Sequence, residues 1–309
     1  MNNKIEAVIF DWAGTTVDYG CFAPVEVFIK VFKNRGIDIT LAEAREPMGM
    51  LKIDHIRALT KMPRIAEAWK DKYGEYPTED DVVSMYHEFE PSLLSILPEF
   101  TTPNPGVVET VEKLRESGLK IGSTTGYTES MMAIVTKGAK EKGYAPDCNF
   151  TPDGLPGGRP YPWMMYENAK KLGVFPMSHI VKVGDTKSDV KEGVNAGAWS
   201  IGVVLGSNEM GLHKEEAEAL SPEALKEKMD EVTKIFYENG AHYVIMEMNE
   251  LPAAIEKINE ALSKENLFMS SNNDVQLAIV TYIKQYIKKI NWQRVIKFPL
   301  PIPLQIYST

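Results

Sequence analysis

The chain has 309 residues, of which 44% are hydrophobic and 25% charged, the composition of an ordinary globular protein. Its formal net charge of −9 argues against a nucleic-acid surface, since such surfaces carry a basic stripe. Cys21 and Cys148 are too few for a disulfide framework or a cysteine metal cluster. The start lacks a signal-peptide core, and no apolar stretch approaches the roughly 20 residues of a membrane helix, so we expect a cytoplasmic protein.

Short apolar segments that alternate with helical patterns predict a parallel sheet, because each crossover between parallel strands needs a connecting element. The predicted strands are residues 5–10, 119–123, 179–183, 199–204 and 242–246. The predicted helices in this part of the chain are residues 106–117, 129–142, 162–172, 188–196 and 222–239. We therefore predict an α/β protein with a Rossmann-like parallel-sheet core domain.

One segment after the first strand breaks this alternation. Residues 21–98 show only helical patterns, over residues 24–34, 51–60, 65–73 and 79–97. A helical insertion at this place predicts a cap domain over the site, which would exclude water. The predicted core domain is thus residues 1–20 and 99–265, and the cap is residues 21–98. Residues 266–309 lose the pattern and are predicted to be an atypical C-terminal extension.

The sequence DWAGTTVD at residues 11–18 places Asp11 at the end of the first predicted strand. A carboxylate there, followed by a small glycine-bearing loop, can attack phosphorus while loop N–H groups face the phosphate oxygens. Asp11 is therefore a candidate nucleophile that would form an acyl phosphate. The alternative is an ordinary strand followed by a turn, where Asp, Gly and Thr are common.

Two further strand ends carry oxygen-bearing side chains. VGDTKSD at residues 183–189 places Asp185 and Asp189 where both can face one point, and such carboxylates suit Mg²⁺. STTGY at residues 123–127 offers hydroxyls and the Gly126 amide to a phosphate. The alternatives are that Asp185 or Ser188 simply caps the following helix, and that residues 123–127 form a plain turn. Since ligands bind at the carboxyl ends of parallel strands, we expect these groups to meet there.

These three strand ends resemble the haloacid dehalogenase superfamily, which implies an aspartyl-phosphate intermediate and Mg²⁺. Members of that superfamily usually carry a second aspartate two residues after the nucleophile, as the acid for a leaving oxygen. Here that position is Ala13, whose carbonyl could still bind Mg²⁺. A stabilised carbanion leaving group needs no acid at this place, whereas an alkoxide does.

A candidate that could stabilise such a carbon leaving group lies in the predicted cap. Lys52 and His55 are three residues apart near a helix start, so they share a face. An iminium between Lys52 and an aldehyde would withdraw electrons from the adjacent carbon, and His55 could shuttle protons. Taken by itself, Lys52 is more simply explained as a solvated helix lysine. Met48, in the same stretch, is by itself more typical of a core position.

The motifs DWAGTT, PMGMLKxDH, GSTTGY, GGRPYPWM and VGDTKSD, in this order over residues 4–264, resemble the phosphonatase family, the phosphonoacetaldehyde hydrolases. The resemblance implies cleavage of phosphonoacetaldehyde to acetaldehyde and phosphate by cytoplasmic homodimers joined through their caps. It implies that Asp11 is the nucleophile and Lys52 the Schiff-base residue. It also implies Mg²⁺ on Asp11, the Ala13 carbonyl and Asp185, with Asp189 nearby.

The resemblance also indicates which residues bind substrate. Arg159 is predicted to be a phosphate-binding cation, because its planar donors match phosphate oxygens. The alternative is an ordinary arginine in a surface loop. The other predicted substrate-binding residues are Thr125, Gly126, Tyr127, Cys21 and Met48.

Two other functions remain open from the sequence. One is a Mg²⁺-dependent phosphomonoesterase or phosphomutase of the same superfamily. The other is a non-catalytic phosphate-binding protein. Ala13 argues against an ordinary phosphate ester as substrate, and the set of Asp11, Lys52 and Asp185 argues against a non-catalytic protein.

Overall fold

The computed structural model describes residues 4–264, so the predicted extension at 266–309 lies outside the described residues. Within them, one six-stranded parallel sheet has the order β3-β2-β1-β4-β5-β6. Its strands are β1 (Ala7–Phe10), β2 (Lys120–Thr124), β3 (Cys148–Phe150), β4 (Ile180–Gly184), β5 (Trp199–Val203) and β6 (Tyr243–Ile245). The predicted α/β fold class is confirmed. Only β3 was missed.

Helices follow most of the strands. They are α6 (Val107–Glu116), α7 (Glu129–Glu141), α8 (Trp163–Leu172), α9 (Lys187–Ala196), α10 (Lys214–Ala219) and α11 (Pro222–Glu238), and residues 251–264 are also helical. Buried apolar side chains of β1, β4 and α8 pack against one another in the core. No helix among residues 4–264 is long and apolar enough to span a membrane.

Five of the helices between β1 and β2 form the inserted helical segment, residues 22–96. They are α1 (Phe22–Asn34), α2 (Leu41–Arg45), α3 (Lys52–Thr60), α4 (Pro63–Tyr73) and α5 (Glu79–Ile96). Phe28 of α1 stacks on Phe89 of α5 with ring centroids 4.3 Å apart, which ties these helices together. The all-helical pattern agrees with the sequence, and the boundaries of a separate cap domain stay a prediction.

The order of the strands positions the site. The chain leaves β1 for β2 on one side, and β4 lies on the other side of β1. This reversal creates a crevice at the carboxyl end of β1, where α/β sheets bind ligands. Asp11, the residue after β1, lies at this crevice, with Thr124 and Gly184 ending the two neighbouring strands.

Candidate active site

Asp11 is held in place by both neighbouring segments. Its backbone N–H donates to the Val183 carbonyl at 2.9 Å, and its own carbonyl accepts from the Thr16 hydroxyl at 2.9 Å. The residue is 4% exposed, and its Oδ1 lies 2.7 Å from Nη2 of Arg159. Burial raises the pKa of Asp11, against the opposing effect of the Arg159 cation. Asp11 is thus a buried, oriented carboxylate at the end of the central strand.

The loop after Asp11 requires glycine at position 14. Gly14 has φ +89°, a left-handed conformation that glycine adopts without steric cost. A Cβ at this position would also clash with the Asp185 carboxylate. The next residue, Thr15, donates its hydroxyl to Oδ1 of Asp185 at 2.7 Å. The loop after β1 is therefore in direct contact with Asp185, the residue that follows β4.

Three buried carboxylates meet at these strand ends. Oxygen atoms of Asp11, Asp185 and Asp189 lie within 4.8 Å of one another. Asp185 is fully buried, and its Oδ2 accepts the backbone N–H of Asn208 at 2.8 Å. Burial, followed by the neighbouring Asp11 and Asp189 charges, raises the pKa of Asp185 well above its ordinary value. Such a repelling set of oxygens fits a divalent cation, which would keep the carboxylates ionised.

Asp189 has more protein partners than Asp185. Its Oδ2 accepts the backbone N–H and the hydroxyl of Thr186, at 3.2 and 2.6 Å, in the capping box that begins α9. Its Oδ1 lies 2.9 Å from both Arg159 and Lys182, as ion pairs rather than aligned hydrogen bonds. Burial raises the pKa of Asp189, but these two cations outweigh it and the net shift is downward. The residue that caps α9 is Thr186, so the alternative of a cap at Asp185 or Ser188 is wrong, and membership of the capping box still allows Asp189 to lie beside a metal.

The charges buried around the site support the fit of a divalent cation. The buried carboxylates are Asp11, Asp185, Asp189 and Glu192, and the cations in ion-pair contact with them are Arg159 and Lys182. With all four carboxylates ionised, their negative charge would exceed the positive charge of the two paired cations, which is costly in a protein interior and agrees with the raised pKa values of Asp11 and Asp185. The residues present thus suit a divalent cation bound by oxygen.

Lys52, the first residue of α3, lies in a largely apolar environment. It is 3% exposed, and its Nζ is 3.9 Å from the Met48 sulfur and 4.9 Å from the Tyr127 ring centroid. No carboxylate within residues 4–264 forms an ion pair with it. Burial lowers the pKa of Lys52, although Cys21 and Asp11 oppose the shift. The lysine therefore has a larger neutral, nucleophilic fraction than an exposed one.

Lys52 and Asp11 face the same small cavity. The cavity is lined by Asp11, Ala13, Cys21, Met48, Gly49, Lys52, Thr125, Gly126, Tyr127, Arg159 and Thr186. A side chain on Gly126 would clash with the Met50 carbonyl, so glycine permits the strand end to approach the inserted helical segment. Burial, in both cases the largest cause, raises the pKa values of Cys21 and Tyr127 well above their ordinary values. The thiol and the phenol are thus neutral groups facing the cavity.

His55 is near Lys52 but does not line this cavity. Its ring is fully buried, stacks on Phe28 with centroids 3.8 Å apart, and has Nε2 2.9 Å from the Ala44 carbonyl. Burial, with a smaller effect of Lys52, lowers the pKa of His55 well below its ordinary value. These contacts describe a neutral, packed imidazole, and proton transfer by His55 stays a prediction.

The guanidinium of Arg159 has a protein oxygen at each nitrogen. Nη2 donates to Asp11 Oδ1 at 2.7 Å and to Thr124 Oγ1 at 2.6 Å. Nη1 is 2.9 Å from Asp189 Oδ1, and Nε donates to Glu192 Oε2 at 2.9 Å. Burial lowers the pKa of Arg159, but the three carboxylates outweigh it and the net shift is upward. Arg159 lines the cavity, and its donors face the nucleophile and its neighbours. Phosphate binding by Arg159 stays a prediction.

Comparisons with known proteins identify the family. A family model described as a haloacid dehalogenase-like hydrolase matches residues 5–197. The chain belongs to this family. A phosphonoacetaldehyde hydrolase of Bacillus cytotoxicus is 62% identical over 257 residues, which are 83% of this chain and 97% of that protein. A phosphonoacetaldehyde hydrolase of Bacillus cereus is 60% identical over 267 residues, 86% of this chain and 100% of that one.

A solved structure gives the same result for this haloacid dehalogenase-like hydrolase. A phosphonoacetaldehyde hydrolase-like protein from Oleispira antarctica superposes with a TM-score of 0.82 at 39% identity, over 84% of this chain and 94% of the other. These matches confirm the resemblance that the motifs predicted.

Two charged residues of this hydrolase were not singled out by the sequence analysis. Lys182, on β4, donates to Thr124 Oγ1 at 2.9 Å, and Glu192, on α9, accepts from the same hydroxyl at 2.8 Å. Both side chains are fully buried. The signals were a lysine inside the apolar strand HIVKV and a glutamate three residues after Asp189, on the same helix face.

Proposed function

We propose that this protein hydrolyses the carbon–phosphorus bond of phosphonoacetaldehyde to acetaldehyde and phosphate. The observation that carries the proposal is that the buried amine of Lys52 and the buried carboxylate of Asp11 line one cavity. Ala13 occupies the position where hydrolysis of a phosphate ester would need a general acid. The names of the Bacillus relatives, at about 60% identity over nearly their whole length, support the same substrate. The hydroxyl of Tyr127 supports a ligand here, since it is buried without a hydrogen-bond partner among residues 4–264.

In the first half of the reaction, the electrons of the carbon–phosphorus bond move into an imine formed on Lys52. Its neutral amine attacks the aldehyde carbon, and loss of water together with uptake of one proton leaves a protonated imine. The carbon–phosphorus electron pair then moves into the imine and forms an enamine, while the phosphoryl group passes to Asp11 as an aspartyl phosphate. The leaving carbon therefore never becomes a bare carbanion, which is why no acid is needed at Ala13.

The second half regenerates the protein. Water attacks the aspartyl phosphate, releases inorganic phosphate and restores the Asp11 carboxylate. The enamine takes a proton on carbon, and hydrolysis of the resulting imine releases acetaldehyde and the Lys52 amine. In this proposal Tyr127, Cys21 and Met48 surround the aldehyde. The predicted proton carrier for the imine steps is His55.

Mg²⁺ is part of the proposal. Asp11, Asp185 and the Ala13 carbonyl would hold it, with Asp189 nearby. When bound, it supplies positive charge that offsets the negative charge of the phosphoryl oxygens. The amide of Gly126 and the hydroxyl of Thr125 are the proposed phosphonate-binding groups, since both line the cavity. A cytoplasmic homodimer joined through the inserted helical segment completes the proposal and rests on the family resemblance.

A turnover assay tests the proposed function directly. The purified protein with Mg²⁺ and phosphonoacetaldehyde is expected to release acetaldehyde and phosphate in equal amounts, and chelation of the metal should stop both. Sugar phosphates and a chromogenic phosphate ester serve as competing substrates. Efficient ester hydrolysis without release of acetaldehyde would instead support the phosphomonoesterase alternative, and phosphate binding without any turnover would support the non-catalytic one.

Ala13→Asp is expected not to raise the rate of carbon–phosphorus cleavage, and we predict a loss of at least about tenfold. The new carboxylate adds a like charge beside Asp11 and Asp185, while the enamine leaving group has no use for an acid. The measurement is kcat/KM for phosphonoacetaldehyde, with Ala13→Asn as the uncharged control of similar size. A higher kcat/KM in Ala13→Asp would show that the role of the alanine is misassigned.

A further inference from the structure

Glu192 is a buried acid that the proposed reaction does not use. It lies on α9, three residues after Asp189, and its side chain is fully buried. Its Oε2 accepts from Arg159 Nε at 2.9 Å and from the Thr124 hydroxyl at 2.8 Å, and it lies 3.3 Å from Lys182 Nζ. One carboxylate oxygen thus joins the residues behind the nucleophile.

The geometry of Arg159 gives this contact a consequence for Asp11. A guanidinium is planar and rigid, so the groups that fix two of its nitrogens also fix the third. Glu192 holds Nε and Asp189 holds Nη1, and both acids extend from the same helix. The remaining nitrogen, Nη2, is the one that contacts the Asp11 carboxylate. The direction of the Asp11 side chain therefore depends on α9 through Arg159.

Lys182 and Thr124 allow a charged glutamate to be buried here. Lys182 Nζ is 2.9 Å from Asp189 Oδ1 and donates to Thr124 Oγ1 at 2.9 Å. The Thr124 hydroxyl accepts from both cations and donates to Glu192, so its hydrogen-bonding capacity is used completely. Yet Oε1 of Glu192 is buried without a hydrogen-bond partner in the described part of the chain. Such an unpaired acceptor does not favour stability, which argues for a functional reason to keep the acid.

We propose that Glu192 is a positioning residue, which orients the Arg159 guanidinium and through it aims Asp11 at the phosphorus atom. Neither substrate nor metal needs to touch Glu192 for this role. The activity assay for this inference rests on the proposed function. A second measurement, which does not involve carbon–phosphorus cleavage, is therefore made as well.

Glu192→Gln tests the role with little change of volume. The amide removes the charge that holds Arg159 Nε, so the guanidinium and Asp11 lose their fixed direction. We expect kcat for phosphonoacetaldehyde to fall about 10- to 100-fold, because a small misplacement of a reacting group has effects of that size. KM should change by less than about threefold, since the aldehyde and phosphonate contacts are left in place.

A control on β5, which contacts the same helix, separates the positioning of Arg159 from a general loosening of α9. Ser200→Ala removes the hydroxyl that donates to the Val190 carbonyl of α9 at 3.1 Å and leaves Arg159 untouched. It should keep the wild-type kcat. If Glu192→Gln does not fold, Thr124→Val removes the shared hydroxyl without a change of charge and should lower kcat in the same direction. A loss of kcat in Ser200→Ala equal to that in Glu192→Gln would overturn the proposal.

The second measurement is the binding of beryllium fluoride, which mimics a phosphoryl group on a carboxylate nucleophile, followed by ¹⁹F NMR with Mg²⁺ present. We expect Glu192→Gln to raise its dissociation constant at least about tenfold and Ser200→Ala to leave it unchanged. Wild-type affinity and wild-type kcat in Glu192→Gln would overturn the inference. A wild-type protein that binds beryllium fluoride but releases no acetaldehyde would refute the proposed function, and the affinities would still decide the role of Glu192.

Discussion

Asp11→Asn is expected to lower kcat for phosphonoacetaldehyde by at least about 10⁴-fold, as removal of a covalent nucleophile does in other enzymes. Asparagine has nearly the same volume, so the buried site can keep its packing. Its amide cannot form an acyl phosphate, and it removes the negative partner of Arg159 Nη2. The loss should appear in kcat and not in the thermal stability, which shows that the chemistry and not the fold is affected.

A matched control for this variant lies on α3. Asp54→Asn makes the same chemical change at a carboxylate that pairs with Arg57 near the surface and does not line the cavity. Its kcat should stay within about twofold of wild type, because exposed ion pairs contribute little. Single-turnover quenching adds a direct observation, since a phosphorylated peptide containing Asp11 is expected in wild type alone. Turnover of Asp11→Asn near the wild-type rate would remove the aspartyl phosphate from the mechanism.

Lys52→Arg has the second of the two largest expected effects, also a loss of at least about 10⁴-fold in kcat. The substitution keeps a long side chain with a cationic end but replaces the amine by a guanidinium, which does not form imines with aldehydes. The buried position strengthens the effect, because the lowered pKa of Lys52 has no counterpart in an arginine, which stays charged.

Lys61→Arg, just after the end of α3, is the control for this change. Lys61 is exposed, so the same chemical replacement there should leave kcat within about twofold of wild type. Beryllium fluoride binding by Lys52→Arg is expected to persist, which would show that Asp11 and the metal site remain assembled. Loss of turnover without loss of beryllium fluoride binding would show that Lys52 acts on the aldehyde carbon and is not needed to assemble the phosphoryl site.

The sequence was sufficient for the parts of the fold that follow from apolar runs. Strands β1, β2, β4, β5 and β6 lie where such runs were predicted. Strand β3 was missed because Cys148–Phe150 has the polar Asn149 at its centre and therefore no apolar run, whereas the equally short β6 reads Tyr-Val-Ile.

The sequence was sufficient to predict most of the residues that belong to the candidate site, but not which partners their side chains contact. Asp11, Lys52 and Tyr127 line one cavity because strand ends and the inserted helical segment meet there. The direction of a buried side chain depends on tertiary partners that spacing does not reveal. Arg159 therefore proved to face Asp11, and His55 to stack on Phe28, although the motifs suggested substrate contact for the first and proton transfer for the second.

Borohydride trapping tests the imine on Lys52 most directly. The protein is treated with phosphonoacetaldehyde and borohydride and then digested and mapped by mass spectrometry. We predict an N-ethyl or N-phosphonoethyl group on Lys52, inactivation in proportion to its formation, and no adduct in Lys52→Arg. Full turnover with no adduct, or a stable adduct on a different lysine, would contradict the account.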